Sequence, residues 1–119
     1  MTPFVSAADF QDKYLSCTLV EDRGKVVSER EAKGRNEFNI DIIIKQKIAI
    51  YKNEIFEYRE TDDKGIDSYT NGILFNMNVL FFNPLDNTIE VKGLGLEVYE
   101  CNSRKKSLFD YGREIKAIF

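Results

Sequence analysis

Because this chain contains no histidine, the side chains that could carry chemistry are its carboxylates, tyrosines, lysines and cysteines. Without an imidazole, no Ser-His or Cys-His nucleophile pair can form, and the usual base near neutral pH is missing. The acid-base candidates that remain are Asp41 and Glu57, which strand periodicity places on one polar face. Charged side chains on the polar face of a strand are ordinarily solvated surface groups without a catalytic role. We therefore predict no catalytic residue and favour a non-enzymatic protein, with activity left as an open question.

Three aspartates in one turn raise the question of a metal site. Asp62 and Asp63 lie close to Asp67, and calcium takes six to eight oxygen ligands. Their spacing lacks the Asp-x-Asp-x-Asp-Gly run and the distant glutamate of an EF-hand loop. The sequence therefore predicts neither a metal nor any other cofactor.

A basic cluster near the end of the chain could contact phosphates. Residues 104–106 are Arg-Lys-Lys, and Phe109 or Tyr111 could stack on bases. Residues 37–100, however, carry twelve acids and six bases, and such an acidic body repels a phosphate backbone. The charge distribution argues against nucleic acid as a partner.

Length and composition fit one domain over residues 1–119, with 43% hydrophobic residues and enough apolar mass for a core. The sequence shows no signal peptide and no stretch of roughly 20 apolar residues, so we predict a cytoplasmic protein that does not enter a membrane. In that compartment Cys17 and Cys101 would be reduced thiols. A bridge between them stays open, because spacing alone does not decide it.

Alternating residues between positions 38 and 50 predict the longest strand. Nearly every even position is apolar, with Gln46 as the exception, and most odd positions are polar. This period puts one apolar and one polar face on a strand. Because Gly, Asn, Asp and Pro are absent from residues 45–47, a continuous, curved strand is favoured over a hairpin there.

Turn chemistry predicts the next reversals of the chain. A three-residue loop over residues 51–53 pairs Ile48 with Phe56, and a turn over residues 62–65 pairs Tyr58 with Tyr69.

Two glycine-containing positions further along are interpreted as bulges that correct the phase of the apolar face. These are Asn71-Gly72 and the Gly93 to Gly95 segment. Between them, a five-residue loop over residues 83–87 pairs Phe81 with Ile89.

The ends of the chain complete the predicted fold. Residues 6–16 are predicted to form an N-terminal helix, with Phe10, Tyr14 and Cys17 along one stripe. Residues 104–110 are predicted as a turn or short helix and residues 113–119 as a closing strand. The expected class is α+β: an N-terminal helix packed on a curved antiparallel β-meander of four to six strands, as a partly open barrel or half-barrel.

The leading functional hypothesis is a non-enzymatic protein-binding module of the inhibitor, immunity or adaptor type that acts through one sheet face. The polar face of the predicted strand over residues 73–82 motivates this hypothesis, because it mixes amides with large apolar groups. The partner is another protein, and a homodimer stays open. The predicted partner-binding residues are Tyr51, Leu74, Asn76, Asn78 and Leu80.

The alternative hypothesis is a small-molecule-binding domain with a pocket between the curved sheet and the N-terminal helix. Tyrosines on an otherwise aliphatic face motivate it, because a buried phenol needs a polar partner. The predicted ligand-binding residues are Tyr14, Phe56, Tyr58, Tyr69 and Met77.

Overall fold

The computed structural model describes residues 11–33, 35–72, 77–93 and 95–118, and within them strands dominate. The strands are β1 (Lys13–Asp22), β2 (Lys25–Val26), β3 (Asn39–Ile44), β4 (Ile48–Tyr51), β5 (Glu54–Thr61), β6 (Asp67–Asn71), β7 (Asn78–Asn83), β8 (Thr88–Lys92) and β9 (Leu96–Arg104). The helices are α1 (Glu29–Ala32) and α2 (Leu108–Ile118), and a 3-10 helix spans Asn36–Phe38.

Eight of these strands close into an antiparallel barrel. The order of hydrogen-bonded neighbours runs from β1 through β3 and then consecutively to β9, and β9 pairs with β1 again. The short β2 extends β1 as a hairpin outside that ring. Closure leaves the ring itself without unpaired edges. The expected open α+β meander of four to six strands is therefore wrong, and the described chain is mainly β.

The predicted N-terminal helix is wrong where the structure describes it, because Lys13–Asp22 is strand β1. Its periodicity was ambiguous: Tyr14 and Cys17 suit a helical stripe, whereas Leu15, Cys17 and Leu19 alternate and all lie in the core. Pairing with both β3 and β9 decides for the strand, since it satisfies the backbone on both sides. Residues 6–10 of the predicted helix lie outside the described residues.

The barrel interior is a packed apolar core to which every strand except β2 contributes. Its largest fully buried side chains are aromatic. The shared cluster consists of Leu15, Cys17, Leu19, Ile42, Ile44, Ala49, Tyr51, Phe56, Tyr69, Leu80, Phe82, Ile89, Val91, Tyr99 and Cys101. An eight-stranded barrel is just wide enough to be filled by side chains in this way.

Three segments that the sequence suggested were bends or bulges are complete chain reversals. The predicted long strand breaks into β3 and β4 around residues 45–47, and Asn71-Gly72 precedes a second hairpin between β6 and β7. The chain also reverses between β8 and β9, where Lys92 pairs with Leu96 and the Gly93 N–H donates to the Gly95 carbonyl. Each merged pair of strands lowered the expected strand count, which explains the error.

The break between β3 and β4 also changes which residues face inward. Ile42 and Ile44 point into the barrel, and after the reversal the inward positions become Ala49 and Tyr51. The two-residue turn Lys52-Asn53, with φ values of 49° and 63°, then pairs Ala49 with Phe56. Asn53 thus adopts the left-handed conformation, which asparagine tolerates.

The registers that were predicted from the turns have different outcomes. Ile48 lies opposite Glu57 and not Phe56, so the predicted three-residue loop is wrong. The pairing of Tyr58 with Tyr69 is confirmed. In the hairpin between β7 and β8, Phe82 and not Phe81 pairs with Ile89, because the loop is one residue shorter than expected.

Cys17 faces Cys101 across the β1–β9 pair, and the two are joined by a disulfide. The expectation of reduced thiols is therefore wrong for this structure. The cysteines are 84 positions apart in sequence, but barrel closure brings their Cα atoms to 4.0 Å. The bridge consequently fastens the strand pair at which the barrel closes.

The chain ends in a helix that lies against the outside of the barrel. Helix α2 continues to Ile118, so the predicted closing strand over residues 113–119 is wrong within the described part. Ile43 and Ile50 are absent from the interior cluster and yet are only 0% and 4% exposed. Arg113 and Ala117 border the groove between α2 and Ile50.

Candidate functional site

Helix α2 begins with a reciprocal cap formed by two residues three positions apart. The backbone N–H of Ser107 donates to the Asp110 carboxylate at 2.7 Å, and the Ser107 hydroxyl donates to the same carboxylate at 3.1 Å. The Asp110 N–H faces the Ser107 hydroxyl at 3.4 Å. This is an aspartate version of the capping box, which satisfies otherwise unpaired groups at a helix start. The sequence therefore fixes where α2 begins.

The same aspartate also attaches α2 to the barrel. Arg104, the last residue of β9, donates from both terminal nitrogens to the two carboxylate oxygens of Asp110, at 2.6 and 2.8 Å. Its Nε lies 3.3 Å from the Asp41 carboxylate on β3. The Arg104 guanidinium holds the pKa of the fully buried Asp110 well below its usual range. Bidentate pairs of this kind fix orientation as well as position.

Glu114, one turn further on, makes the second attachment. It accepts hydrogen bonds from the Tyr14 hydroxyl on β1 and from Lys106 Nζ at 2.7 Å, and Lys45 Nζ lies 3.1 Å away. Burial favours a raised pKa for the Glu114 carboxylate, but the hydrogen bonds from Lys106, Tyr14 and Lys45 outweigh it and lower the pKa. Glu114 is therefore an ionised anchor at neutral pH.

While Asp110 and Glu114 face the barrel, α2 presents four large apolar residues to solvent. Leu108 and Phe109 are 87% and 82% exposed, and Tyr111 and Ile115 are 54% and 57% exposed. We call these four residues the α2 outer face. An amphipathic helix at a protein surface normally shows the opposite arrangement. Contiguous exposed apolar side chains of this size are typical of interaction sites.

The charges that accompany the α2 outer face are cationic. Both acids of residues 101–119, Asp110 and Glu114, are buried against the barrel. Lys105 and Lys116 are exposed on either side of the apolar residues. A surface with an apolar centre and a basic rim attracts an acidic, partly apolar counterpart.

Three of the five predicted partner-binding residues lie in the described part of the chain. Leu80 and Tyr51 are 0% and 5% exposed and belong to the barrel core. Asn78 is half-buried where β7 begins, at the end of the barrel beside Gly93. Leu74 and Asn76 lie outside the described residues. A side chain buried in the core offers no atoms to a partner. The candidate surface is therefore the α2 outer face and not these residues.

The predicted ligand-binding residues are also divided between two environments. Phe56 and Tyr69 lie inside the barrel, each only 1% exposed, and the Tyr69 hydroxyl donates to the Lys45 carbonyl at 2.9 Å. Tyr58 and Met77 are each 40% exposed. Tyr14 lies on the outside, bonded to Glu114. No pocket between a sheet and an N-terminal helix brings the five together within the described part of the chain.

The residues of the α2 outer face were missed as a site, although a sequence signal for the helix existed. Leu108, Tyr111 and Ile115 recur at helical spacing, which predicts one apolar stripe. Such a stripe ordinarily packs on the core, so its exposure was not expected. The second signal was the placement of Asp110 and Glu114 on the opposite side of the helix.

Two features are absent from the described residues, a membrane-spanning helix and a metal-binding cluster. No helix among them is long and apolar enough to cross a membrane. Nor does that part of the chain bring together three or more His, Cys, Asp or Glu side chains in a position to hold a metal ion.

The fold and the site together define a closed eight-stranded antiparallel barrel that carries an externally docked helix with its apolar side outward. No family model, curated protein or solved structure matches the chain.

Proposed function

We propose that this protein is a non-enzymatic protein-binding module that presents the α2 outer face to a partner protein. The observation that carries the proposal is the exposure of Leu108, Phe109, Tyr111 and Ile115 on a helix whose polar side is used for docking. A helix laid into an apolar groove is a recurrent mode of protein recognition. Aromatic side chains such as Phe109 and Tyr111 are frequent anchors in such interfaces.

The partner we propose has an apolar groove with acidic margins. Lys105 and Lys116 stand beside the α2 outer face, while the acids of this segment point inward. Opposite charges at an interface rim accelerate encounter and exclude partners of the same sign. The ion pairs of Asp110 and Glu114 hold α2 in place before binding, which lowers the entropic cost of association.

The compartment in which binding takes place is part of the proposal. The sequence suggested the cytoplasm, but the disulfide between Cys17 and Cys101 supports an oxidising environment, because such bridges persist there. A partner would then be met outside the reducing cytoplasm.

A site-specific photocrosslink tests the proposal. The photoreactive p-benzoylphenylalanine replaces Phe109 in one sample and Leu85 in a second, since Leu85 is a comparably exposed apolar residue (86%) in the turn between β7 and β8. We expect a partner with an acidic groove to crosslink at position 109 and not at 85. Lys105→Glu combined with Lys116→Glu should reduce the yield, and so should added salt.

The contrary outcomes are equally specific. The same crosslinked species at positions 109 and 85, or none at 109, contradicts the proposal. A product of twice the mass of the chain, with no other protein attached, replaces the proposed partner by a second copy of this chain.

A further inference from the structure

A cavity opens at the end of the barrel where the β4–β5 and β8–β9 turns lie. Its volume is about 280 Å³, near the lower end of the range for small-molecule sites. Phe56 and Val91 supply apolar wall, Tyr51 and Glu97 supply polar groups, and Lys52 and Arg23 border the opening. We call this cavity the barrel mouth. It shares no lining residue with the α2 outer face.

Glu97 is the polar centre of the barrel mouth. The Tyr99 hydroxyl donates to its Oε2 at 2.7 Å, and the Tyr51 hydroxyl lies 3.2 Å from the same oxygen. The two phenols contact each other at 2.9 Å. Burial favours a raised pKa for Glu97, but the hydrogen bond from Tyr99, the charge of Lys52 and the hydrogen bond from Tyr51 outweigh it and lower the pKa. A fixed, ionised carboxylate is the result.

The chain already places one ammonium group in this corner. Lys52 Nζ lies 3.5 Å from Glu97 Oε2 and 5.3 Å from the centre of the Tyr51 ring. A cation between a carboxylate and an aromatic face is stabilised by both. The Lys52 side chain is 50% exposed and stands on a two-residue turn, so its ion pair is weak and easily exchanged.

The mouth favours a cation over an anion. Its lining residues include three carboxylates, Asp22, Glu54 and Glu97, against two basic groups, Arg23 and Lys52. The carboxylate of Glu97 is the charge that lies deepest, because it meets the phenols of the core. An anionic ligand in the same space would face this charge directly.

We propose that the barrel mouth binds a small organic ammonium ion. Its charged nitrogen replaces Lys52 Nζ between Glu97 and the Tyr51 ring, and its apolar body lies against Phe56 and Val91. Lys52 is then an internal competitor of the ligand. This small-molecule site stands independently of the protein-binding surface on α2.

Three matched probes test the ligand class: 2-phenylethylamine, 2-phenylethanol and 3-phenylpropionate. They share a phenyl ring and differ in charge. Titration of the intact protein, followed by calorimetry and by NMR shifts of Val91, should show binding of the amine alone. Lys52→Gln should tighten amine binding several-fold, because the competing ammonium is gone. Glu97→Gln should weaken it at least tenfold, whereas Glu90→Gln, on the outside of the neighbouring strand, should leave it unchanged.

Several results would overturn the proposal. These are tighter binding of the carboxylate or the alcohol, no binding of any probe, or weaker amine binding in the Lys52→Gln variant. Thermal unfolding of each variant shows whether it is folded. Should Glu97→Gln fail to fold, the Lys52→Gln comparison decides alone, since that residue lies in an exposed turn and only the competition model predicts a gain.

Discussion

The barrel interior and helix α2 use apolar side chains in opposite ways. In the barrel, apolar residues point inward and fill a closed core, and Phe56 is only 1% exposed. On α2, Asp110 and Glu114 point inward, and Phe109 is 82% exposed. Burial of apolar surface therefore explains the barrel, whereas the docking of α2 combines ion pairs with contacts beside Ile50. The comparison teaches that the four residues of the α2 outer face are not buried in the fold, as the proposed role in recognition requires.

The largest contrast is expected from one substitution made in both regions. Phe56→Ala should lower the free energy of unfolding by about 3–5 kcal/mol, because it leaves a cavity in a packed core. Phe109→Ala should change it by no more than about 0.5 kcal/mol, as is usual at an exposed position. Urea denaturation of the two variants measures both values. Similar losses in the two variants would mean that α2 is covered by another part of the chain.

Reduction of the disulfide should have the next largest effect. Opening the link between Cys17 and Cys101, which closes a loop of 84 residues, should cost about 4 kcal/mol in the chain-entropy model. Thermal unfolding with and without dithiothreitol measures the loss. The double variant Cys17→Ala, Cys101→Ala serves as control, because its stability should not respond to the reductant. An unchanged unfolding temperature in the reduced natural protein would show that strand pairing alone seals the barrel.

Asp110→Asn tests the docking of α2 with a side chain of the same shape. Loss of the charge-assisted pair with Arg104 should cost about 2–3 kcal/mol, and amide protons of α2 should exchange faster with solvent. Asp63→Asn, in an exposed turn, is the matched control and should leave both properties unchanged. If exchange in α2 is as slow in Asp110→Asn as in the control, other contacts dock the helix.

Acid should loosen α2 before the barrel. The folded protein lowers the pKa values of Asp110 and Glu114, so their contribution to stability is fully present above the unfolded values of 3.8 and 4.5. It is lost as the pH falls through the lower folded values. Hydrogen exchange at pH 7 and pH 3, corrected for intrinsic rates, should show a larger loss of protection in α2 than in β1. Equal losses in both elements would assign the acid sensitivity to the whole barrel.

The smallest effect on stability is expected where the effect on binding is greatest. Leu108→Ser combined with Ile115→Ser should leave the unfolding free energy within about 0.5 kcal/mol of the natural value. The same change should abolish crosslinking from position 109, because it removes the apolar centre of the α2 outer face. Loss of stability together with binding would indicate a structural role for these residues.

Much of the strand content could be predicted from the sequence, but the number of strands could not. Alternation identified inward residues such as Ile42, Phe56 and Val91, which do share the barrel core. The reversal around residues 45–47 has no glycine, proline, asparagine or aspartate to mark it. Because of this reversal, the residues that face inward change from even positions, which end at Ile44, to odd positions, which begin at Ala49. This change depends on pairing partners and not on local propensity.

The candidate sites were less predictable than the strands. The strand that contains Leu80 does alternate, but Leu80 faces the core and not the polar side on which it was expected. Which side it faces depends on the hairpin that precedes β7. The helical spacing of Leu108, Tyr111 and Ile115 was visible, but a closing strand over residues 113–119 was preferred to a helix, and no local pattern showed that the stripe faces solvent. The barrel mouth joins Lys52 and Glu97, 45 positions apart, and only closure brings them together.

By itself, the sequence determined the local features: period-2 alternation, the left-handed turn at Lys52-Asn53, and the cap at which Ser107 and Asp110 start α2. These depend on neighbours in the chain, and short-range sterics and hydrogen bonds fix them. Only the tertiary structure decided that β1 meets β9, that Cys17 meets Cys101, and that α2 lies with its apolar side outward. Those outcomes depend on contacts between distant segments, whose free energy no local pattern contains.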